Sequence, residues 1–284
     1  MPELPEVEVI RRDLDRVIRG RVITNVEVNR DRAVRREPSI AAFSDAHTGA
    51  RVTATSRVGK FLVVHLDDAR TDFVVIHLGM SGQLRVEDGA HTARPKHTHI
   101  VWTLDDGREV RFVDPRTFGQ VFCSVASNNA SVGSRPPALT HLGPDALTEL
   151  PDGAALAPRL AGRRVAIKAR LMDQSAVAGI GNIYSDEILF RAGVLGSRAS
   201  GSLTAPEIDR VVAATTAVLT DAIAARGSSL SDAQYVDLSG RTGRYQQDHA
   251  VHARAGLPCP VCGHRVVRAR AGGRFGYWCP QCQT

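Results

Sequence analysis

Four cysteines near the end of the chain restrict its folding more than any other feature. Cys259 and Cys262 form one close pair, and Cys279 and Cys282 form a second pair after sixteen intervening residues. The spacing C-x2-C-x16-C-x2-C is typical of a four-thiolate zinc site built from two knuckles, so it predicts that these side chains meet around one zinc ion. The fifth cysteine, Cys123, lies in an apolar run and is predicted to be a buried structural thiol.

The residues between the cysteine pairs predict a hairpin. Arg265 to Arg270 and Phe275 to Trp278 are typical of two strands, and a glycine turn that includes Gly273 joins them. Arg274 then lies near the tip of the hairpin. Because four thiolates leave no open coordination position, the zinc is predicted to be structural. Arg274 is either a solvated surface charge or a contact to phosphate or base edges.

Composition and charge narrow the class of protein. The 284 residues, 43% hydrophobic and 23% charged, are enough for two globular domains with cores. A net charge of +6 and a pI near 9.4 suit a polyanionic partner such as nucleic acid. The N-terminus is acidic where a secretory signal is basic, and no apolar run approaches the roughly 18 residues of a membrane helix. We therefore expect a cytoplasmic protein without a membrane partner, in which close cysteine pairs bind metal rather than form disulfides.

The hydrophobic pattern changes twice along the chain. Apolar residues at three- and four-residue steps predict an amphipathic helix from Glu3 to about Arg19. A polar stretch, Ser127 to Pro137, is the predicted linker, and helical periodicity follows it. This periodicity is clearest in a helix that begins at the capping box of Thr204 and is expected to end at Gly227. Between the first helix and the linker, short β-branched runs predict an antiparallel sandwich or barrel: Val22 to Val28, Phe61 to Leu66, Phe73 to Leu78, Ile100 to Leu104, Val110 to Val113 and Val121 to Val125.

Pro2 is a candidate nucleophile. Once Met1 is removed, Pro2 carries a free secondary amine, which can attack an aldehyde-level carbon and form an iminium. An α-amino group titrates near neutrality, and the positive end of a helix favours the neutral amine. The alternative is that Pro2 only starts the helix, since proline is favoured in a first helical turn.

Three turn motifs carry candidate binding residues. In the glycine-rich segment Ala178 to Tyr184, Asn182 can bond a phosphate oxygen at the start of a helix that continues through Leu189, although a packing corner between helices has the same pattern. Met80 and Phe118 lie in turns between strands. Each is either an apolar wedge that enters a base stack or an ordinary core or hairpin residue.

Taken together, these segments resemble the bacterial formamidopyrimidine-DNA glycosylase (Fpg or MutM) family of base-excision repair. The resemblance spans the chain through the opening MPELPEVE and the segments Arg57 to Lys60, His77 to Gly82, Lys96 to His99, Asp114 to Gly119, Asp173 to Tyr184 and the terminal finger with Gly273-Arg274. It implies an α+β multidomain fold: an N-terminal antiparallel β-sandwich with an N-terminal helix over 1–126, a linker over 127–143, a helical helix-two-turns-helix domain over 144–250 and a C-terminal zinc-finger hairpin over 251–284.

The resemblance also implies a reaction. A monomer would bind damaged double-stranded DNA and flip out the damaged nucleotide, mainly 8-oxoguanine or a formamidopyrimidine. Pro2 would attack C1′ of the sugar, and β- and δ-eliminations would then cut the strand on both sides. Glu3 matches the acid–base residue, Glu6 orients the site, and Lys60 and Arg274 act with them as catalytic phosphate contacts.

Further DNA contacts follow from the same resemblance. Lys168 and Asn182 match phosphate contacts, and His97 is a third candidate. The residues implied to fill the vacated stack are Met80, Arg116 and Phe118, with Arg116 facing the orphaned base.

Some positions depart from the family pattern. Thr117 stands where a second basic residue is frequent, and Gly276 replaces a common Thr or Ser. Arg244 and Tyr245 stand where Tyr and Phe are usual in the loop that covers the flipped base, and His252-Ala253-Arg254 replaces Tyr-Gly-Arg.

Three other functions are compatible with parts of the sequence. A Nei-type glycosylase for oxidised pyrimidines usually opens with Pro-Glu-Gly-Pro, so Leu4 argues against it. The altered loop leaves a non-catalytic DNA-binding paralogue as an alternative, but the intact Pro2, Glu3 and Lys60 argue against it. A zinc-ribbon adaptor explains the C-terminal finger alone.

Overall fold

The protein is described by a computed structural model over residues 1–68, 70–89, 92–125, 135–160, 164–230, 235–271 and 273–284. It divides into two units: unit 1 contains Met1–Thr140 and Arg226–Arg244, and unit 2 contains His141–Ala225 and Tyr245–Thr284. Most of the predicted linker, Ser127 to Pro137, lies outside the described residues.

Unit 1 is built around two four-stranded antiparallel sheets that share an apolar core. The strands are β1 Ile23–Val28, β2 Arg51–Val58, β3 Phe61–Asp67, β4 Phe73–His77, β5 Gln83–Glu87, β6 Thr98–Leu104, β7 Glu109–Val113 and β8 Gln120–Ser124. Their orders in the two sheets are β2-β3-β4-β8 and β1-β6-β7-β5. Because buried residues of both sheets, such as Leu62 and Phe112, belong to one hydrophobic cluster, the sheets form the predicted sandwich.

Helix α1 spans Leu4–Ile18, close to the predicted bounds. Glu3 is its N-cap and forms a capping box with Glu6, while Pro5 occupies the first turn. The helix buries a stripe against the sandwich core, consisting of Val7, Ile10, Leu14 and Ile18. The start of α1 is therefore fixed both by its cap and by the packing of its apolar face.

Three elements of unit 1 were not predicted. Helix α2, Ile40–His47, begins at Ser39, whose Oγ accepts the N–H of Ala42 at 3.0 Å. Strands β2 and β5 were missed because polar residues interrupt their apolar pattern. In β2, for example, Thr55 is buried through hydrogen bonds to Asp15.

Cys123 is half-buried, so the thiol that the sequence predicted to be buried keeps part of its surface exposed. Its Sγ lies 3.3 Å from Nε2 of His47, and its backbone N–H donates to Glu37. Desolvation and the nearby Glu37 carboxylate raise the pKa of the thiol to about 12. A thiol that stays protonated is inert, as expected for a structural role.

Unit 2 contains the helices α3 Gly153–Leu160, α4 Ile167–Met172, α5 Asn182–Ala192 and α6 Ala205–Ala224. Residues 173–181 join α4 to α5, and Gly179 adopts a φ of 112° there, which agrees with the predicted helix-two-turns-helix region. The capping box of Thr204 and Glu207 is present at α6. That helix ends at Ala224, before the predicted Gly227, because Arg226 and Gly227 both take positive φ values of 63° and 78°.

The C-terminal hairpin pairs β9, Val267–Ala271, with β10, Arg274–Trp278. Arg274 is opposite Ala271 and is the first residue of β10, so it lies at the turn end of the hairpin as predicted. Among the described helices of both units, none is long and apolar enough to cross a membrane.

After α6 the chain returns to unit 1. The sequence prediction placed residues 144–250 in one helical domain, whereas Arg226–Arg244 packs with unit 1. Tyr235 and Leu238 of this returning segment join the core of the sandwich. Arg226 forms an ion pair with Asp13 of α1 and a second with Asp237 at 2.6 Å. The returning segment is therefore an integral part of the N-terminal domain.

Candidate active site and nucleic-acid interface

The carboxylate of Glu6 connects the start of α1 to the returning segment. Its Oε2 accepts the N–H of Glu3 and its Oε1 accepts the N–H of Ser228, each at 2.8 Å. Glu6 is 1% exposed. A Cβ on Gly227 would lie 2.7 Å from Glu6 Oε1, so only glycine allows this approach. This geometry supports an orienting role for Glu6.

Pro2 and Glu3 are both buried immediately before α1. Pro2 precedes the N-cap residue and lies outside the first helical turn, where Pro5 stands. A role in starting the helix therefore does not account for Pro2. The Glu3 side chain is 2% exposed, and its backbone N–H is held by Glu6.

Lys60 lies in the two-residue turn between β2 and β3. Gly59 adopts a φ of 57° there, and Arg57 anchors the turn through Gly59 O at 2.9 Å and Glu8 Oε2 at 3.3 Å. Lys60 is 7% exposed. Burial, together with the positive charges of Lys60 and Arg35, lowers the pKa of His77 to about 4. The lysine thus makes its buried surroundings electropositive.

Two turns at the ends of strands are locked together by Asp114, which is fully buried. Asp114 accepts from Ser81 Oγ at 2.5 Å and from the N–H of Gly119 at 2.7 Å. A Cβ on Gly79 would lie 2.5 Å from Gly119 N, so the two turn backbones are in direct contact. The turn that carries Met80 is consequently fixed against the turn that carries Arg116 and Phe118.

The side chains on these turns point outward. Met80 is 39% exposed and Phe118 is 46% exposed, which excludes the core alternative for both. The Arg116 guanidinium lies 5.0 Å from the Phe118 ring centroid. His97 is also exposed, in a turn where its φ is 68°. Unit 1 thus presents two apolar side chains and an arginine together.

Unit 2 brings Asn182 and Lys168 together at the start of α5. The Asn182 side-chain oxygen is buried and has no hydrogen-bond partner within the described residues. Lys168 is 1% exposed, and its ammonium donates to Asn182 O at 3.1 Å, Ser185 Oγ at 2.9 Å and Asp186 Oδ1 at 2.6 Å. Since these acceptors use all three of its N–H groups, Lys168 has no donor left for a phosphate.

The four finger cysteines converge as predicted. Their Sγ atoms all lie within 4.8 Å of one another, with Cys259 to Cys282 at 3.9 Å and Cys262 to Cys279 at 3.4 Å. Tetrahedral zinc with Zn–S bonds of about 2.3 Å requires sulfur separations of roughly 3.8 Å, so this donor set fits one zinc ion. Arg274, on the hairpin that the site supports, is exposed.

Comparison with known proteins decides the family. The model of the formamidopyrimidine-DNA glycosylase N-terminal domain matches residues 1–121, that of the H2TH domain of the same glycosylase matches 142–234, and that of the zinc finger found in FPG and IleRS matches 256–284. The formamidopyrimidine-DNA glycosylase of Nocardia farcinica is 41% identical over 292 residues, covering 100% of this chain and 98% of that relative. The chain belongs to the formamidopyrimidine-DNA glycosylase family.

Solved structures agree with this assignment. MutM (Fpg) from Thermus thermophilus superposes with a TM-score of 0.85 at 37% identity, covering 99% of this chain and 98% of that one. A MutM structure in complex with carbocyclic 8-oxo-G containing DNA gives a TM-score of 0.86 at 29% identity, with both chains covered completely. As a member of the formamidopyrimidine-DNA glycosylase family, the chain is a DNA glycosylase with one structural zinc site. A zinc-ribbon adaptor does not explain the match of residues 1–121.

Two departures from the family pattern have structural explanations. Gly276 packs against Lys168 and Asp186, where a Cβ would lie 3.1 Å from atoms of both. Tyr245 is 6% exposed in unit 2, with its ring 5.9 Å from that of Tyr184, so it is a packing residue in this chain.

Sequence reasoning missed several residues that hold these sites in place. Ser228 and Gly227 contact Glu6 across a long stretch of chain, and no local pattern signals that contact. The buried Asp114 is the first residue of the motif Asp114 to Gly119. Its position before a tight turn could have indicated that its side chain accepts a backbone hydrogen bond within the turn. Asp186 lies two residues after the glycine-rich segment, but its partners come from distant parts of unit 2.

Proposed function

We propose that this chain excises oxidised purines from duplex DNA with Pro2 as nucleophile and then cuts the strand by lyase chemistry. The observation that carries the proposal is the buried end of α1, where Glu6 holds both Glu3 and the returning segment. Once Met1 is removed, a buried Pro2 amine beside Glu3, whose backbone N–H is held in place, suits nucleophilic catalysis with proton transfer. The relative bound to carbocyclic 8-oxo-G containing DNA supports the choice of purine lesions.

The chemistry follows from the two side chains. After Met1 is removed, the Pro2 nitrogen forms a bond to C1′ as the bond from C1′ to the damaged base breaks, and the proton that the nitrogen loses goes to the departing base. Glu3 protonates the ring oxygen, so the sugar opens and the nitrogen becomes an iminium. Loss of a proton from C2′ then expels the 3′ phosphate, and a second elimination expels the 5′ phosphate. Water finally hydrolyses the bond to Pro2 and frees the enzyme.

Positive groups in both units supply the affinity for DNA. We assign phosphate contacts to Lys60 in unit 1 and to Asn182 and Arg274 in unit 2, with His97 as a further candidate. The net charge of +6 favours association with any duplex, so lesion recognition has to come from other residues. Lys168 is left out of this set, because its ammonium is occupied inside unit 2.

Met80, Arg116 and Phe118 fill the space left by the flipped nucleotide in this proposal. Exposed apolar side chains on turns held rigidly together are suited to enter a base stack, because little ordering remains to be done on binding. Arg116 would face the base opposite the lesion.

The monomeric state and the bacterial cytoplasm are also part of the proposal. A single chain carries both the proposed nucleophile and the zinc finger, so no second copy is needed. Light scattering of the complex with a short lesion duplex should give one protein chain per duplex.

Borohydride trapping tests the nucleophile and the substrate together. The protein, with loss of Met1 verified by mass, is mixed with duplex DNA carrying 8-oxoguanine opposite cytosine, and the reductant converts the iminium into a stable covalent bond. We expect trapping on this duplex and on an abasic duplex, with a loss of at least about a hundredfold in Pro2→Gly. An undamaged duplex is the control.

Other outcomes would contradict parts of the proposal. Trapping on a duplex with an oxidised pyrimidine but not with 8-oxoguanine would identify a Nei-type specificity. Trapping on abasic DNA alone would remove the glycosylase step. DNA binding without any trapping would identify a non-catalytic paralogue.

A further inference from the structure

A buried ion network in unit 2 joins helix α4 to helix α5 and to the segment before the zinc finger. Its members are Lys168, Asp186 and His252. Asp186 binds the Lys168 ammonium through Oδ1 at 2.6 Å and lies 2.8 Å from His252 Nδ1 through Oδ2. The three residues are 1%, 3% and 5% exposed. Each of these polar groups is therefore removed from water and depends on its partner.

The next residue of α5, Glu187, holds the backbone of the same segment. Its carboxylate accepts the N–H groups of Ala250, Val251 and His252 at 2.8, 3.0 and 2.7 Å. Burial raises the pKa of Glu187, and the three backbone N–H groups oppose that rise. Two adjacent acids of α5 thus fix both the backbone and the side chain of His252.

The zinc hairpin packs on this network through Gly276. A Cβ there would lie 3.1 Å from Asp186 Oδ1 and 3.1 Å from Lys168 Cδ, so strand β10 lies directly on the ion pair. Arg274 begins the same strand. On the other side, the Lys168 ammonium binds the backbone oxygen of Asn182, the first residue of α5. The network consequently touches both elements that carry proposed phosphate contacts.

We propose that Lys168, Asp186 and His252 are positioning residues that hold Asn182 and Arg274 in one fixed geometry for binding DNA. The inference rests on the proposed function, since it requires those two residues to meet phosphates. Groups fixed before binding lose less conformational freedom when the complex forms. Lys168 thereby acts on DNA through other residues rather than by contact.

For the substitution Asp186→Asn, electrostatics alone and a positioning role predict opposite changes in the affinity for DNA. Asp186→Asn removes a negative charge from a DNA-binding unit, and general attraction to phosphates should then strengthen. If Asp186 positions Asn182 and Arg274, the same change should weaken binding. The sign of the change in Kd therefore separates positioning from simple charge.

The experiment measures Kd for an undamaged duplex with zinc-loaded full-length protein at several salt concentrations. We expect Asp186→Asn to bind about tenfold more weakly than wild type, and the slope of log Kd against log salt to fall by about one as the Arg274 contact is lost. Asp221→Asn is the matched control, because Asp221 is a half-exposed acid of unit 2 outside the network. It should bind as well as wild type or slightly better.

A double variant tests the route through Arg274. Arg274→Ala should weaken binding by itself, and adding Asp186→Asn should then cause a smaller further loss than it causes in wild type. Residues that act through one another are not additive in this way. Full additivity would show that Asp186 acts independently of the hairpin arginine.

The His252 variants cover the case in which Asp186→Asn does not fold. His252→Asn keeps a donor near the Nδ1 position, whereas His252→Leu removes it. We expect His252→Leu to weaken binding and His252→Asn to restore most of the affinity, with zinc content unchanged in both.

The outcomes separate the two proposals. If wild type binds no DNA, the proposed function fails. If wild type binds but Asp186→Asn binds equally or more tightly, or His252→Leu matches His252→Asn, the positioning inference alone is overturned.

Discussion

Gly227 and Gly240 share a left-handed backbone but differ in their surroundings. Their φ values are 78° and 77°, and both belong to the returning segment. A Cβ on Gly227 would lie 2.7 Å from Glu6 Oε1, whereas one on Gly240 would meet open space. The two positions separate the cost of backbone strain from the cost of displacing the Glu6 carboxylate.

Gly227→Ala should therefore reduce the rate of trapping more than Gly240→Ala does. Each change places alanine in a left-handed conformation, which costs about 1 to 2 kcal/mol of stability. Gly227→Ala also moves the carboxylate that holds Glu3, so trapping on abasic DNA should slow by about tenfold or more. Equal trapping rates for the two variants, with both folded, would show that Glu6 need not be held by this segment.

His47 is a buried histidine whose neutral form is fixed by its neighbours. Trp102 donates its indole N–H to Nδ1 at 3.4 Å, which leaves the ring proton on Nε2, near Cys123 Sγ. Burial and the positive charge of Arg70 lower the pKa of His47 to about 3. Protonation would place a second N–H against the indole donor.

The stability of unit 1 should consequently fall in acid. Because the pKa of His47 is lower in the folded state than in the unfolded chain, its contribution is complete above about pH 6.5 and is lost as the pH falls towards 3. The loss is about 1.4 kcal/mol per pH unit below the unfolded pKa. Thermal unfolding between pH 7.5 and 5 should show a weaker pH dependence in His47→Gln than in wild type. His141→Gln, an exposed control, should keep the wild-type dependence.

At the scale of elements, local pattern predicted α1, six strands of unit 1, both strands of the zinc hairpin and the capped start of α6. It failed for β2, where Asp15 and Glu8 of α1 accept hydrogen bonds from the buried Thr55 and Arg57. A polar residue whose partner is distant in sequence looks exposed to any local rule.

Some features of the candidate site could also be predicted from local sequence, whereas others depend on distant contacts. The cysteine spacing, Arg274 at the hairpin turn and Asn182 at the start of α5 could be read from short motifs. The return of Arg226–Arg244 to unit 1 could not, because it depends on contacts with Glu6 and Asp13 at the other end of the chain. The buried partners of Lys168 were hidden for the same reason.

At the scale of the whole molecule, each unit carries its own tryptophan. Trp102 lies in the sandwich core of unit 1, and Trp278 ends strand β10 of the zinc hairpin in unit 2. Cys259 and Cys279 are buried in a small cluster with Val251. Such a cluster offers too little apolar area to hold the finger without metal.

Zinc removal should therefore unfold the finger and leave unit 1 intact. After treatment with a strong chelator, the emission of Trp278 should shift to the red and affinity for duplex DNA should fall, while the Trp102 signal, isolated in Trp278→Phe, stays constant. Adding zinc back should reverse both changes. Unchanged affinity after complete zinc loss would contradict a structural role for the metal in DNA binding.

Because Arg226–Arg244 belongs to unit 1, the last part of that unit is synthesised only after His141–Ala225 of unit 2. Glu6 is synthesised early, but Ser228, the partner that its carboxylate needs, is made only after the helices α3, α4, α5 and α6 of unit 2. A nascent chain therefore carries Pro2 and Glu3 long before the Glu6 carboxylate is locked in place. The same order means that a fragment ending at Thr140 lacks part of its own domain.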